Sequence, residues 1–154
     1  ASLQCIKNLD SICLLTVGNN YSQISDKLNF CHHHFGEIES TNEMIKIYNL
    51  AYMTVVPSRF ESFSQVTLES MSCGSPVVAF DSSGPSEIIT NNVDGFLIKS
   101  FSIEDYAEKI DTLLGDEVLR DSFSKKSRER VVLKYSYEAI GLIMKNYYKK
   151  IIDG

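Results

Sequence analysis

The sequence has no excess of positive charge, no long apolar run, no paired-cysteine motif and no internal repeat. Each absence closes off a class of explanation. A net charge of −5 lacks the basic footprint of a nucleic-acid partner. No stretch reaches the roughly 18 apolar residues of a membrane span, and no leader pattern opens the sequence. Cys5, Cys13, Cys31 and Cys73 are scattered, without a Cys-x-x-Cys, and 154 residues need no disulfide scaffold. They are expected to be reduced, mostly buried thiols in a cytoplasmic protein. Hairpin signals are missing as well, which argues against an all-antiparallel fold.

What is present is an alternation. Apolar runs at 12–17, 53–56, 77–80 and 96–98, together with the stretch FCHHHF at 30–35, read as short strands, several of them ending at Gly or Pro. Between them lie helical patterns: the tail of a helix over 3–9, then 22–28, a helix from Ser40, 65–73, and 86–89 with Pro85 in its first turn. Ser40-x-x-Glu43 predicts a capping box, with Ile38 as a staple. Ser102-x-x-Asp105 predicts the start of a helix over 103–114, stopped by Gly115. A charged helix over 117–133 follows. A last helix begins at Ser136, and its stripe of Tyr137, Ile140, Ile143, Met144, Tyr147 and Ile151 marks core or a domain-packing surface.

Strands alternating with helices predict right-handed βαβ crossovers. The fold class is α/β, a Rossmann-like parallel sheet with helices on both faces, and the length suits one domain. Ligands on such sheets bind at the carboxyl ends of the strands, near helix N-termini. The loops over 18–22, 57–64 and 81–86 lie there.

The central stretch, MTVVPSRFESFSQVTLESMSCGSPVVAF (53–80), reads as strand, loop, helix, strand. The helix that starts near Ser64 offers unpaired N–H groups and a partial positive charge, which suits a diphosphate. Ser62 and Ser64 are small enough for a phosphate to come close, and Arg59 could add a cation. Glu61 precedes the helix. Glu69, eight residues on, sits in its second turn and leans back toward the same mouth. A carboxylate can accept hydrogen bonds from a vicinal diol such as the ribose 2′,3′ pair. Ordinary surface carboxylates are the plainer reading. Of the three histidines at 32–34, only His32 and His34 share a strand face, and two imidazoles make a poor zinc site. No metal is expected.

This stretch resembles the C-terminal domain of retaining GT-B glycosyltransferases of the group 1, or family 4, type. That signature is Glu, seven residues, Glu, between a VxPS-like strand end and an ACGxPVV-like segment; here Glu61 and Glu69 match the pair. GPSEIITNNVDGFLI is similar to the family's next stretch, and the approach to the last helix at 133–137 is similar to its F-S-W pattern. The resemblance runs from about residue 12 to the end.

The resemblance implies sugar transfer from a nucleoside diphosphate sugar, with retained anomeric configuration. Glu69 would bind the ribose hydroxyls and Glu61 would face the donor sugar as the catalytic group. Amides around Phe63, Ser64 and Gln65 would hold the diphosphate, with Arg59 and the Gly18 loop nearby. Gly36, Glu37 and Ile38 would border the base. No cofactor is implied beyond the donor itself, and no Asp-x-Asp metal motif occurs in the sequence.

Departures from the pattern are as informative. FGLV is usual shortly after the first Glu; here the stretch reads Ser62-Phe63-Ser64-Gln65, with Ser64 where the glycine is usual. The family's opening strand, with its Arg and Lys loop, has no match before Ile12, and the N-terminal acceptor domain is unmatched too. The expectation is a fragment that transfers no sugar alone and partners its own N-terminal domain and a glycan or lipid-linked acceptor, in cell-surface polysaccharide synthesis. Tyr147, Tyr148, Lys149 and Lys150 also allow peripheral contact with the inner membrane face, though packing against the unmatched domain is favoured. The competing readings are a sugar-nucleotide epimerase of the same fold and a non-catalytic docking module.

Overall fold

The computed structural model describes residues 5–7, 9–19 and 29–153. The helix expected over 22–28 lies outside these residues, as does much of the helix tail expected over 3–9. Leu9–Ser11 forms a short 3-10 turn before the first strand.

Five short strands form parallel pairs. β1 (Leu14–Thr16) pairs with β2 (His32–His34), Leu14 opposite His32. β3 (Thr54–Val56), β4 (Val77–Phe80) and β5 (Gly95–Ile98) pair in that order, with Val77 between Thr54 and Gly95. The parallel pairing is as expected, but the single sheet is not: among the described residues there are two, of two and three strands. β1 and β3 do not pair with each other, and residues of both line an open cleft of about 2080 Å³.

β4 is the centre of the larger sheet, and all four of its residues are buried. Alternation along the strand sends Val78 and Phe80 to one face and Val77 and Ala79 to the other. Val78 and Phe80 pack with Phe96, Tyr106, Ile110 and Phe123. Tyr106 and Ile110 come from α4 (Ile103–Gly115), and Phe123 from α5 (Glu117–Tyr135). Val77 and Ala79 pack with Met71 of α2 (Gln65–Ser72), Ile88 of α3 (Ser83–Ile88) and Val131 of α5. The Tyr106 hydroxyl donates to the Val78 carbonyl at 2.7 Å, and burial pushes it above the usual tyrosine range.

The helix starts are only partly as expected. α1 (Thr41–Leu50) has Ser40 at its N-cap, but the hydroxyl makes no capping bond, so the capping box is not formed. The Ser40 carbonyl instead takes the Glu43 and Met44 amides, at 3.1 and 3.0 Å. Ser102 does cap α4, accepting from the Asp105 amide at 3.1 Å, and Ser136 accepts from the Ala139 amide at 3.2 Å. α4 ends at Gly115 as expected, though that glycine does not adopt a left-handed backbone, and Asp116 caps α5 through the Leu119 amide at 2.9 Å.

α6 (Tyr137–Asp153) has no buried residue, so its apolar stripe is not core in this chain. The cysteines are corrected as well. None is in a disulfide, but Cys5, Cys13 and Cys31 are exposed and Cys73 is half-buried. The reason is topological: Cys5, Cys13 and Cys73 border the open cleft instead of a packed interior.

Candidate functional site

The loop after β3 is held by its neighbour, the segment that opens α3. The Gly84 amide donates to the Glu61 carbonyl at 2.9 Å. A Cβ at Gly84 would lie 2.8 Å from the Ser64 nitrogen, so only glycine permits this approach. Ser64 is 1% exposed, and its hydroxyl pairs with that of Thr67 at 2.8 Å. The substitution of serine for the family's glycine therefore places a hydroxyl on the helix's own first turn, not toward an incoming phosphate. Phe63 and Gln65 are exposed on either side of it. The first amides of α2 have no partner within the helix, as at any helix start.

Glu61 lines a cavity of about 660 Å³ with Arg59, Phe60, Asp81, Ser82 and Phe101. Two polar atoms there are buried without a hydrogen bond, Glu61 Oε2 and Ser82 Oγ. Native proteins rarely leave such atoms unpaired, and a polar ligand would satisfy both. The Arg59 guanidinium lies 5.7 Å from the Phe101 ring centroid, a cation–π distance. Phe101 takes a left-handed backbone, φ 53, which places its ring beside the cavity at some conformational cost.

Glu69 borders the other concavity, the large cleft. Its Oε2 accepts from the Tyr48 hydroxyl at 3.1 Å. Tyr48 projects from α1 and is 7% exposed. Burial first, and then the Glu69 charge, push its phenol above the usual tyrosine range, so it donates throughout the neutral region.

Ile38 lines the same cleft. The adjoining loops are tied together: the Gly18 amide donates to the Gly36 carbonyl at 2.7 Å, and Asn19 donates to Glu37 Oε2 at 3.1 Å. Both glycines adopt positive φ, 110 and 72. His34 bonds Thr16 at 3.0 Å, and His32 lies 3.2 Å from the Phe30 carbonyl. No cluster of three metal-ligating side chains occurs among the described residues.

The expected site residues thus fall into three places. Glu61 and Arg59 face the smaller cavity. Glu69 and Ile38 face the cleft, with Gly18 and Glu37 in the tied loops beside Ile38. Phe63, Ser64 and Gln65 lie at the α2 start between the glutamates in sequence. Tyr48, Ser82 and Phe101 were not anticipated from the sequence. Tyr48 lies within the helix from Ser40, where no local motif distinguishes it. Ser82 falls in the 81–86 loop that the sequence places at the strand ends, but nothing singles it out there, and nothing local marks Phe101.

Residues 6–130 match the family described as Glycosyl transferases group 1. The chain belongs to this family. It is 40% identical over 89 residues to the poly(ribitol-phosphate) alpha-N-acetylglucosaminyltransferase of Staphylococcus aureus (strain COL), covering 57% of this chain and 18% of that protein. It is 28% identical over 115 residues to the capsular polysaccharide biosynthesis glycosyltransferase CapM of Staphylococcus aureus, covering 75% of this chain and 30% of that one. Among solved structures, a mutant of S. aureus TarM in complex with fondaparinux, alpha-GlcNAc-glycerol and UDP superposes with a TM-score of 0.80 at 29% identity. That match covers 94% of this chain and 30% of that one.

The chain therefore spans under a third of each of these three relatives. As a group 1 glycosyltransferase domain it has the GT-B Rossmann-like architecture, with parallel strands flanked by helices, and it corresponds to the C-terminal kind of half. Among the described residues, no helix is long and apolar enough to cross a membrane.

Proposed function

We propose that this chain is the donor-binding part of a retaining glycosyltransferase, moving a sugar from a nucleoside diphosphate sugar to a glycan or lipid-linked acceptor. The observation that carries the reading is the separation of the two glutamates. Glu69 borders the cleft, and Glu61 borders a second cavity holding two unsatisfied polar atoms. One carboxylate is thus available for a ribose diol and the other for a sugar.

In this reading Glu69 takes the ribose hydroxyls, and Ile38, Glu37 and Gly18 border the base. The α2 amides around Phe63, Ser64 and Gln65 hold the diphosphate. Glu61 faces the sugar, with Arg59 at the same cavity. Catalysis is then chiefly electrostatic, through groups fixed in advance around an oxocarbenium-like sugar and its leaving diphosphate. The residues supply this without a metal or a cofactor beyond the donor. Relatives named for transfer to poly(ribitol-phosphate) and for capsular polysaccharide biosynthesis favour a polymeric glycan acceptor. A cytoplasmic location, or one against the inner membrane face, would suit a nucleotide-sugar donor.

The cleft supports a further part of the proposal. Among the described residues β1 and β3 each have one edge without a strand partner, residues of both line the cleft, and α1 and α4 add Met44, Ile47, Ala107 and Ile110 to its lining. A parallel apolar strand from elsewhere in a longer protein would join the two sheets and satisfy both edges. An acceptor-binding domain would complete the enzyme.

The test is steady-state transfer by the protein carrying this chain together with such a domain. Glu61→Gln is expected to lower kcat by about 10²–10³, the usual effect of removing one transition-state electrostatic contact, with little change in donor KM. A product of inverted configuration, an epimerised sugar nucleotide, or an unchanged kcat would each overturn the reading.

A further inference from the structure

We propose that Tyr48 is a positioning residue that orients the Glu69 carboxylate for the nucleotide's ribose, and so sets the preference for ribonucleotides. The inference rests on the reading of Glu69 as the ribose-binding group.

A glutamate on an exposed helix face has three rotatable side-chain bonds, and the last of them is broad and poorly fixed. Glu69 is in that situation: it is exposed on α2 and makes no salt bridge among the described residues. Its one side-chain hydrogen bond among those residues is the 3.1 Å contact from Tyr48 to Oε2. Tyr48 is well suited to hold it. Its ring is 7% exposed, so packing fixes both of its torsions, and the phenol remains protonated and donating at neutral pH.

The bond fixes the carboxylate plane and uses one lone pair of Oε2. Oε1 and the second Oε2 lone pair remain for two hydroxyl donors, the number a 2′,3′-diol supplies. The position of Tyr48 in the chain adds a second consequence. α1 begins at Thr41, just after Glu37 and Ile38, which are assigned to the base side of the cleft. One rigid helix therefore connects the base-bordering loop to the group that grips the ribose. Placing the base and aligning the carboxylate become one event.

A Tyr48 that merely fills the interior would affect every nucleotide alike. A positioning Tyr48 acts only where ribose hydroxyls are present, and a double-mutant cycle separates the two. UDP, GDP and ADP are titrated calorimetrically into the full protein carrying this chain, and the tightest of them is compared with its 2′,3′-dideoxy analogue for wild type, Tyr48→Phe and Glu69→Ala. Expected is a loss of about three- to tenfold for Tyr48→Phe with the ribonucleotide, the worth of one hydrogen bond, and no change with the dideoxy analogue. Glu69→Ala should abolish the preference for the ribonucleotide.

Equal losses on both nucleotides, or none on either, for Tyr48→Phe would overturn the positioning role while leaving Glu69 in place. If Glu69→Ala keeps the wild-type preference, or wild type binds none of the three diphosphates, the ribose reading fails and the inference fails with it. Thermal melting of Tyr48→Phe beside wild type shows whether any uniform loss comes from unfolding.

Discussion

Asp94 is 1% exposed, and both of its oxygens are engaged. Oδ1 accepts from the Thr90 amide at 2.7 Å, and Oδ2 pairs with Arg130, whose guanidinium also reaches the Thr90 hydroxyl. The pair fastens the turn before β5 to α5. Asp94→Asn retains an acceptor but removes the charge partner. Breaking a buried pair costs roughly 3–5 kcal/mol, and the partial exposure of Arg130 puts this one toward the lower end. Urea unfolding should show that loss; a midpoint unchanged from wild type would mean that solvent screens the pair. The residues around it illustrate how far a sequence can be read. Asn91, Asn92 and Gly95 mark the turn through their backbone preferences, which are local. Arg130 lies 36 positions away, and nothing near either residue announces the pairing. The contacts that Arg59 and Tyr48 make are hidden for the same reason. Their partners, Phe101 and Glu69, are set by packing between separate elements.

Among the elements, those with strong periodicity or punctuation fall where the sequence places them. β4 matches its expected span, and α2 ends one residue short of it. β1 and β2 are trimmed at both ends, as expected of edge pairs with few hydrogen bonds. Helix caps are less predictable, because one Ser-x-x-acid pattern serves two geometries. At Ser102 the hydroxyl takes the Asp105 amide, whereas at Ser40 it takes none. The two sites should therefore respond differently. Ser102→Ala is expected to cost about 1 kcal/mol, an ordinary N-cap loss. Ser40→Ala should fall within about 0.5 kcal/mol of wild type, as for a surface change that breaks no bond. Chemical denaturation of both variants decides it, and equal losses would contradict the distinction.

For the whole molecule, the doubly covered sheet was legible in the sequence, but its division was not. Strand periodicity reports which residues are buried, not which strands are neighbours, so it could not reveal the cleft between β1 and β3. The exposure of Cys5 and Cys13 follows from that cleft. The apolar face of α6 is a second incomplete surface, with Ile140, Met144 and Tyr147 open to solvent. Both surfaces accord with a part that works together with more polypeptide, as does the 18–30% share of the relatives' lengths. The 154-residue chain by itself should then transfer no sugar, in an assay controlled for donor hydrolysis. Transfer by the chain alone would show that the acceptor domain is dispensable. The central claim, that a nucleoside diphosphate is gripped through its ribose by Glu69, is tested most directly by calorimetric titration of nucleoside diphosphates into wild type and Glu69→Ala. Expected is binding by wild type that weakens about tenfold or more in the variant, as for loss of a charged hydrogen-bond acceptor. Equal affinities would contradict the claim.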